Sequence, residues 1–356
     1  MKNMIQILKT YGFPIAGLIV FYVVHHSTHP ILLGAAVIFL IVAILQAVEY
    51  AEVIAHKVGE PFGTVILAIA VTLIEVSIIA TLMLSNSEEN SSVARDTVFA
   101  AVMIIVNAMI GIITLVGSLK FGEQSFSVKG ISASLTVLIV ISSLTLILPN
   151  FTLSVSGPFY NTKQLLFVAI STLILYGAFL FIQNFRHKEF FILEEELQEE
   201  THEVNNNTFV KSIILLLINL VVVVLLAESI APWIDQALIS IGAPIQLTGV
   251  VIAGLILLPE GISALAATNK NNVQKSFNLA LGSALATLGL TIPTLAFVSI
   301  ATGLPLTLGI TNEFIVLYVL SLLVMTLNVI SGKSSILQGI VHIVLFFTYL
   351  LLIIVP

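Results

Sequence analysis

Two glutamates stand in apolar surroundings: Glu75 in "GTVILAIAVTLIEVSIIATLM" (63–83) and Glu260 in "TGVVIAGLILLPEGISALAA" (248–267). An ionised carboxylate in hydrocarbon costs about 2.5–3.5 kcal/mol on insertion scales, so each acid should face the protein interior and have partners there. Pro259, just before the second acid, removes a backbone N–H and frees the carbonyl one turn upstream, near Leu255. Broken backbone is tolerated at membrane depth where it lines a cavity, and its carbonyls can hold a cation.

Hard oxygen donors of this kind suit Ca²⁺, which takes about 6–8 of them. Thr72 lies one turn before Glu75 on the same helical face, and Ser263 nearly one turn after Glu260. Asn107 and Asn278 offer amide oxygens from the following helices, and Gln274 shares the face of Asn278. Two carboxylates held close in a poor dielectric repel, so without a cation they take up protons. Such a site holds either one Ca²⁺ or about two H⁺, the competition that antiport needs. Glu75 and Glu260 are therefore candidates both for metal ligation and for proton coupling.

The rest of the chain must place these groups inside a membrane. Of its 356 residues, 58% are hydrophobic and only 9% charged, against about 25% charged in a soluble domain. Such a chain cannot cover a globule with polar side chains, and it reads as an all-α integral membrane protein whose partner is the lipid bilayer. Apolar runs give eleven expected spans, at 10–24, 31–55, 62–84, 96–119, 130–149, 164–183, 209–231, 246–267, 274–302, 312–331 and 335–355. The first reads as a retained helix, since no small-x-small cleavage site follows it.

Basic residues support that count. With the N-terminus cytoplasmic, Lys2, Lys9, Lys57, Lys120, Lys129, Arg186, Lys188, Lys211, Lys270, Lys275 and Lys333 all fall inside, and only Arg95 and Lys163 outside. The C-terminus is then outside. The chain has no cysteine, which excludes disulfides and thiolate chemistry. It has no HExxH, nucleotide-binding glycine loop or Ser-His-Asp set, so neither an enzyme, a cofactor, ATP drive nor a nucleic-acid partner is indicated. A homo-oligomer is compatible with this composition.

One long polar insertion, "QNFRHKEFFILEEELQEETHEVNNN" (183–207), carries Glu194, Glu195, Glu196, Glu199 and Glu200 among its acids. It reads first as a solvated linker, and more sharply as a regulatory site that concentrates cations at the cytoplasmic mouth. The segments are then 1–30 (first helix and outer loop), 31–183, 184–208 (the insertion) and 209–356. Five spans on each side of the insertion is an odd number, so two homologous units would insert with opposite orientations. Both acids follow a glycine, Gly63 and Gly249, and "NAMIG" (107–111) and "NLALG" (278–282) come next in each half. Glu49, Glu52 and Glu228 lie nearer the span ends and read as structural or access-path groups, and His342 as a packed or hydrogen-bonded helix residue.

At these residues the chain resembles a known family. "TLIEVSIIATLM" with "NAMIGIITLVGSLKFGEQSF", and "LLPEGISALAATNKNNVQKSFNLALGSALATLGLTIP", look like the two α-repeats of the cation/Ca²⁺ exchanger superfamily. They most resemble its bacterial Ca²⁺/H⁺ antiporter branch. The resemblance implies eleven helices in two inverted five-helix repeats after an extra first helix, with Glu75 and Glu260 as paired essential acids. It implies supporting roles for Asn107, Asn278 and Gln274, and an acidic cytoplasmic helix around Glu194 to Glu200. The function expected is export of Ca²⁺ against H⁺ by alternating access in a bacterial plasma membrane. Na⁺(K⁺)/H⁺ exchange, Na⁺/Ca²⁺ exchange and a cation channel are the alternatives. Ile74 stands where Na⁺/Ca²⁺ exchangers carry a proline, and the first repeat is poor in hydroxyls; both favour H⁺ as the coupling ion.

Overall fold

The computed structural model describes residues 12–25, 30–59, 62–85, 92–191 and 205–355. Glu194, Glu195, Glu196, Glu199 and Glu200 lie outside the described residues. The regular structure among them is helical, apart from one two-residue antiparallel ladder. Among the described residues eight helices are long and apolar enough to cross a membrane, or nine if a pair bent by 57° counts as one span. The two other expected spans coincide with shorter apolar stretches, Phe13–Val24 and Ala68–Thr81. The chain is thus a multi-pass membrane protein.

The helices gather into two compact units, and each unit draws on both halves of the chain. The first contains α1 (Phe13–His25), α2 (Pro30–Val58), α3 (Phe62–Ser85) and α8 (Asn206–Ser240). Helix α8 packs along α1, α2 and α3. Expected to end near 231, it instead runs unbroken through Pro232. At 1.5 Å per residue its 35 residues reach roughly 52 Å, beyond a ~30 Å hydrocarbon core. Asp235 on its last turns accepts a hydrogen bond from Thr248.

The second unit holds the remaining helices. It begins with α4 (Val93–Met103), a π-turn (Ile104–Met109) and α5 (Ile110–Phe121), then β1 (Gln124–Ser125) and α6 (Val128–Ser142). Helix α7 (Thr162–Phe181) follows, opened by a capping box between Asn161 and Gln164. After α8 come α9 (Leu247–Ile256), α10 (Leu258–Asn269), α11 (Val273–Ala286), a further π-turn (Thr287–Thr291) and α12 (Ile292–Thr302). π-Turns at Ser143–Ile147 and Ile182–Arg186 also follow α6 and α7. Helix α13 (Asn312–Ser331), β2 (Lys333–Ser334) and α14 (Ile336–Ile354) complete it. The strands pair with Gln124 opposite Ser334 and Ser125 opposite Lys333.

Burial is uneven, and the imbalance locates the centre of this unit. In Ala94–Phe121, 78% of the most apolar window is buried, and in Val273–Thr302 67%, against 28–44% for the other six long helices. Both buried runs carry a π-turn mid-way, a feature frequent at functional sites. Helix α14 approaches α5 closely because glycine meets glycine: a Cβ on Gly339 would stand 2.7 Å from the Leu115 nitrogen, and one on Gly111 2.9 Å from an Ile343 carbon.

Gly339→Val therefore overpacks the α5–α14 seam, with an expected cost of about 1–3 kcal/mol. It should lower the melting temperature of the detergent-purified protein. Gly34→Ala, at a position with open space around it, should leave that temperature unchanged.

Candidate cation site

Helices α9 and α10 are one membrane run bent by 57° at Leu257, whose φ of −83° and ψ of 0° lie in the sparsely populated bridge region. Pro259 stands at the opening of α10, where its missing N–H is one of the first-turn donors that have no intrahelical partner. The ladder passes through the bend: Leu257 N–H donates to the Ala253 carbonyl at 3.0 Å, and Gly261 N–H to the Leu257 carbonyl at 2.9 Å. The proline thus redirects the helix more than it unwinds it.

Glu260 is in the first turn of α10, the end of a helix that favours negative charge. Both of its carboxylate oxygens are buried, and neither has a hydrogen-bond partner among the described residues. A buried carboxylate left in that state is costly until a proton or a cation joins it. Gly261 keeps the wall beside it thin, since a Cβ there would stand 3.6 Å from the Met109 methyl at the end of the first π-turn. Ser263, one turn on, is half-buried.

Glu75 belongs to the first unit and Glu260 to the second. Glu75 is 4% exposed, and Thr72 on the same helix is equally buried. The Thr72 hydroxyl donates to the Ala68 carbonyl at 2.8 Å, which leaves its oxygen lone pairs available to accept.

The three amides are bonded within the protein. Asn107 donates from Nδ2 to Ser321 Oγ at 3.0 Å, and its Oδ1 lies 3.3 Å from His342 Nδ1. Gln274 Oε1 accepts from the Ser127 N–H at 2.6 Å, while its Nε2 donates to Asn278 Oδ1 at 3.0 Å. Asn278 in turn donates to the Phe191 carbonyl. Gln274 and Asn278 are brought together, but as a staple between α11 and the segments around Ser127 and Phe191. Nor do the two Asn-x-x-x-Gly stretches sit at the same place along their helical runs. Asn107 lies in a π-turn midway along its run, whereas Asn278 is in the second turn of α11. Identical spacing in sequence did not carry equivalent positions, because glycine and asparagine recur for different packing reasons.

Sequence reasoning passed over two hydroxyls. Thr97 Oγ1 and Thr291 Oγ1 are buried with no partner among the described residues, one on each of the two most buried runs. Helix α4, which carries Thr97, contacts the π-turn Thr287–Thr291, which ends at Thr291. Their signal was available only as hydroxyls in a heavily buried helix, which needs the fold to be recognised.

Residues 28–185 and 211–355 match the family model described as sodium/calcium exchanger protein. The chain belongs to that family. This exchanger-family chain is 40% identical over 352 residues to the ionic transporter y4hA of Sinorhizobium fredii, covering 98% of itself and 95% of that protein. It is 31% identical over 348 residues to the sodium-potassium/proton antiporter ChaA of Escherichia coli, covering 95% and 94% respectively. Its fold matches the crystal structure of the H⁺/Ca²⁺ exchanger CAX with a TM-score of 0.74 at 18% identity, over 99% of this chain and 89% of that one. The structure of native YfkE matches with a TM-score of 0.73 at 18% identity, over 98% and 100%. The architecture is therefore that of a cation exchanger.

Pro259→Ala restores a backbone donor and relaxes the bend that aims Glu260. The variant should fold at least as stably as the parent. It should also show a smaller cation-induced rise in melting temperature, read by thermal denaturation with and without millimolar Ca²⁺, Na⁺ or K⁺.

Proposed function

We propose that this exchanger-family protein is a secondary-active antiporter that moves Ca²⁺ out of the cell in exchange for H⁺, with Glu75 and Glu260 as the acids that alternate between the two. The observation that carries this reading is the pair of buried, unpartnered oxygens of Glu260 at a bent membrane helix. A group in that condition gains from either exchange partner, and cannot hold both at once. The hydroxyls of Thr72 and Ser263 stand one helical turn from the acids on their own helices. Thr97 and Thr291 are candidates from the central runs. The amides of Asn107, Gln274 and Asn278 serve better as supports that hold those runs.

The reading extends to topology. All eleven helical runs cross the bacterial plasma membrane, with the N-terminus cytoplasmic and the C-terminus outside, as two inverted five-helix repeats after a first helix. Alternating access then exposes the acids to one side at a time. A second reading has its own support: the Escherichia coli relative is named as a sodium-potassium/proton antiporter, and the same acids can exchange Na⁺ or K⁺ for H⁺.

Proteoliposomes with an imposed pH gradient decide between these. A gradient acid inside should drive Ca²⁺ uptake, and Glu260→Gln and Glu75→Gln should each reduce it to background. Lowering pH on the cation side should weaken uptake, because protonated acids no longer bind the ion. Uptake of Na⁺ or K⁺ but not Ca²⁺ would establish the second reading. Cation flux that ignores the pH gradient, or that survives both substitutions, would overturn exchange at these acids.

A further inference from the structure

One buried polar chain in the second unit lies outside the exchange chemistry. It starts at Asn328 on α13, whose Nδ2 lies 3.0 Å from His342 Nε2 on α14. His342 Nδ1 is 3.3 Å from Asn107 Oδ1 in the first π-turn. Asn107 Nδ2 donates to Ser321 Oγ at 3.0 Å, and Ser321 donates to the Leu317 carbonyl at 2.8 Å. Every link closes with one neutral tautomer, in which His342 donates from Nδ1 and accepts at Nε2. The chain then runs one way, each member donating to the next, an arrangement in which the bonds reinforce one another.

His342 and Asn107 are essentially inaccessible, at 1% and 0% exposure. Few charges surround the imidazole. Helix α14 otherwise carries only the phenol of Tyr349, and the π-turn no ionisable group. Helix α13 has Glu313 at its far end and Tyr318, α4 has Arg95 and Asp96 in its first turn, and α5, α6 and α11 contribute Lys120, Lys129 and Lys275 near their ends. The π-turn that this chain grips ends at Met109, whose methyl bears on Gly261 beside Glu260. The same turn packs against α11 and α14.

We propose that His342 is a positioning residue for the exchange site: as a neutral hydrogen-bond relay it clamps the first π-turn to α13 and α14, and so fixes the wall against which Glu260 is set. The inference rests on Glu260 belonging to the cation site. It gives the imidazole a geometric duty, separate from the proton exchange assigned to the two glutamates.

Glutamine provides the test, since its amide can donate to Asn107 and accept from Asn328, whereas leucine of similar bulk can do neither. In purified protein, binding of the cargo ion identified in liposomes is measured by calorimetry across pH, with Glu260→Gln alongside. His342→Leu should weaken apparent affinity about tenfold, the lower end for residues that support a metal site. His342→Gln should retain parental affinity and the parental pH profile. Should His342→Leu fail to fold, Asn328→Leu, which removes only the half-buried end of the chain, should weaken binding in the same direction. Parental affinity in His342→Leu, or in Asn328→Leu where that variant stands in, would overturn the relay. A flattened pH profile in His342→Gln would also overturn it and mark the imidazole as a proton carrier. Undiminished binding by Glu260→Gln would instead overturn the site itself.

Discussion

Hydrocarbon offers no hydrogen bonds, so every polar atom this chain carries into the bilayer must be answered from within. Most are answered locally. Thr72, Ser77, Thr81, Ser142, Thr145 and Thr172 each return a hydroxyl to the carbonyl four residues back, which satisfies the donor without a second helix. Asn219, on α8 in the first unit, does the same with its amide. Against this background Glu260 stands out: a few neutral groups such as Thr97 and Thr291 also lack a partner, but among the described residues it is the carboxylate with both oxygens buried and unanswered.

The surrounding structure can be understood as the means of keeping that exception affordable. The two most deeply buried runs both belong to the second unit, and α11 is rich in small residues, with Ala280, Ala284 and Ala286 buried along it. Small side chains let helices close on one another without water between them. Each of those runs carries a π-turn, and Asn107 in one of them is held by polar contacts to Ser321 and His342.

Much of this architecture was legible in the residues alone. Lipid-length apolar runs, and the bend that the proline before Glu260 marks, could be read from the residues themselves. The family of exchangers could be reached from the stretch around Pro259 and Glu260. What could not be read was the partner of each polar side chain. Asn107, Gln274 and Asn278 have the chemistry of cation ligands, and only three-dimensional placement commits them to His342, Ser127 and Phe191. Helix α8 also ran past its expected end, because a proline after many bonded turns bends a helix without necessarily stopping it. The grouping of α8 with α1, α2 and α3 has no local signature at all, since it is a matter of long-range packing.

The small ladder between β1 and β2 has a mechanical meaning. It ties the C-terminal end of α5 to the N-terminal end of α14 through Gln124 and Ser334. Phe126 N–H bonds the Gly332 carbonyl at 3.2 Å, and Lys333 pairs with Glu123 at 3.2 Å. Glycine contact at Gly111 and Gly339 already joins the same two helices along their length. Fastened at one end and meshed along the shaft, α5 and α14 act as a single strut. Any stroke of the transport cycle that displaces one must carry the other, so the travel has to be taken up at joints elsewhere in the molecule.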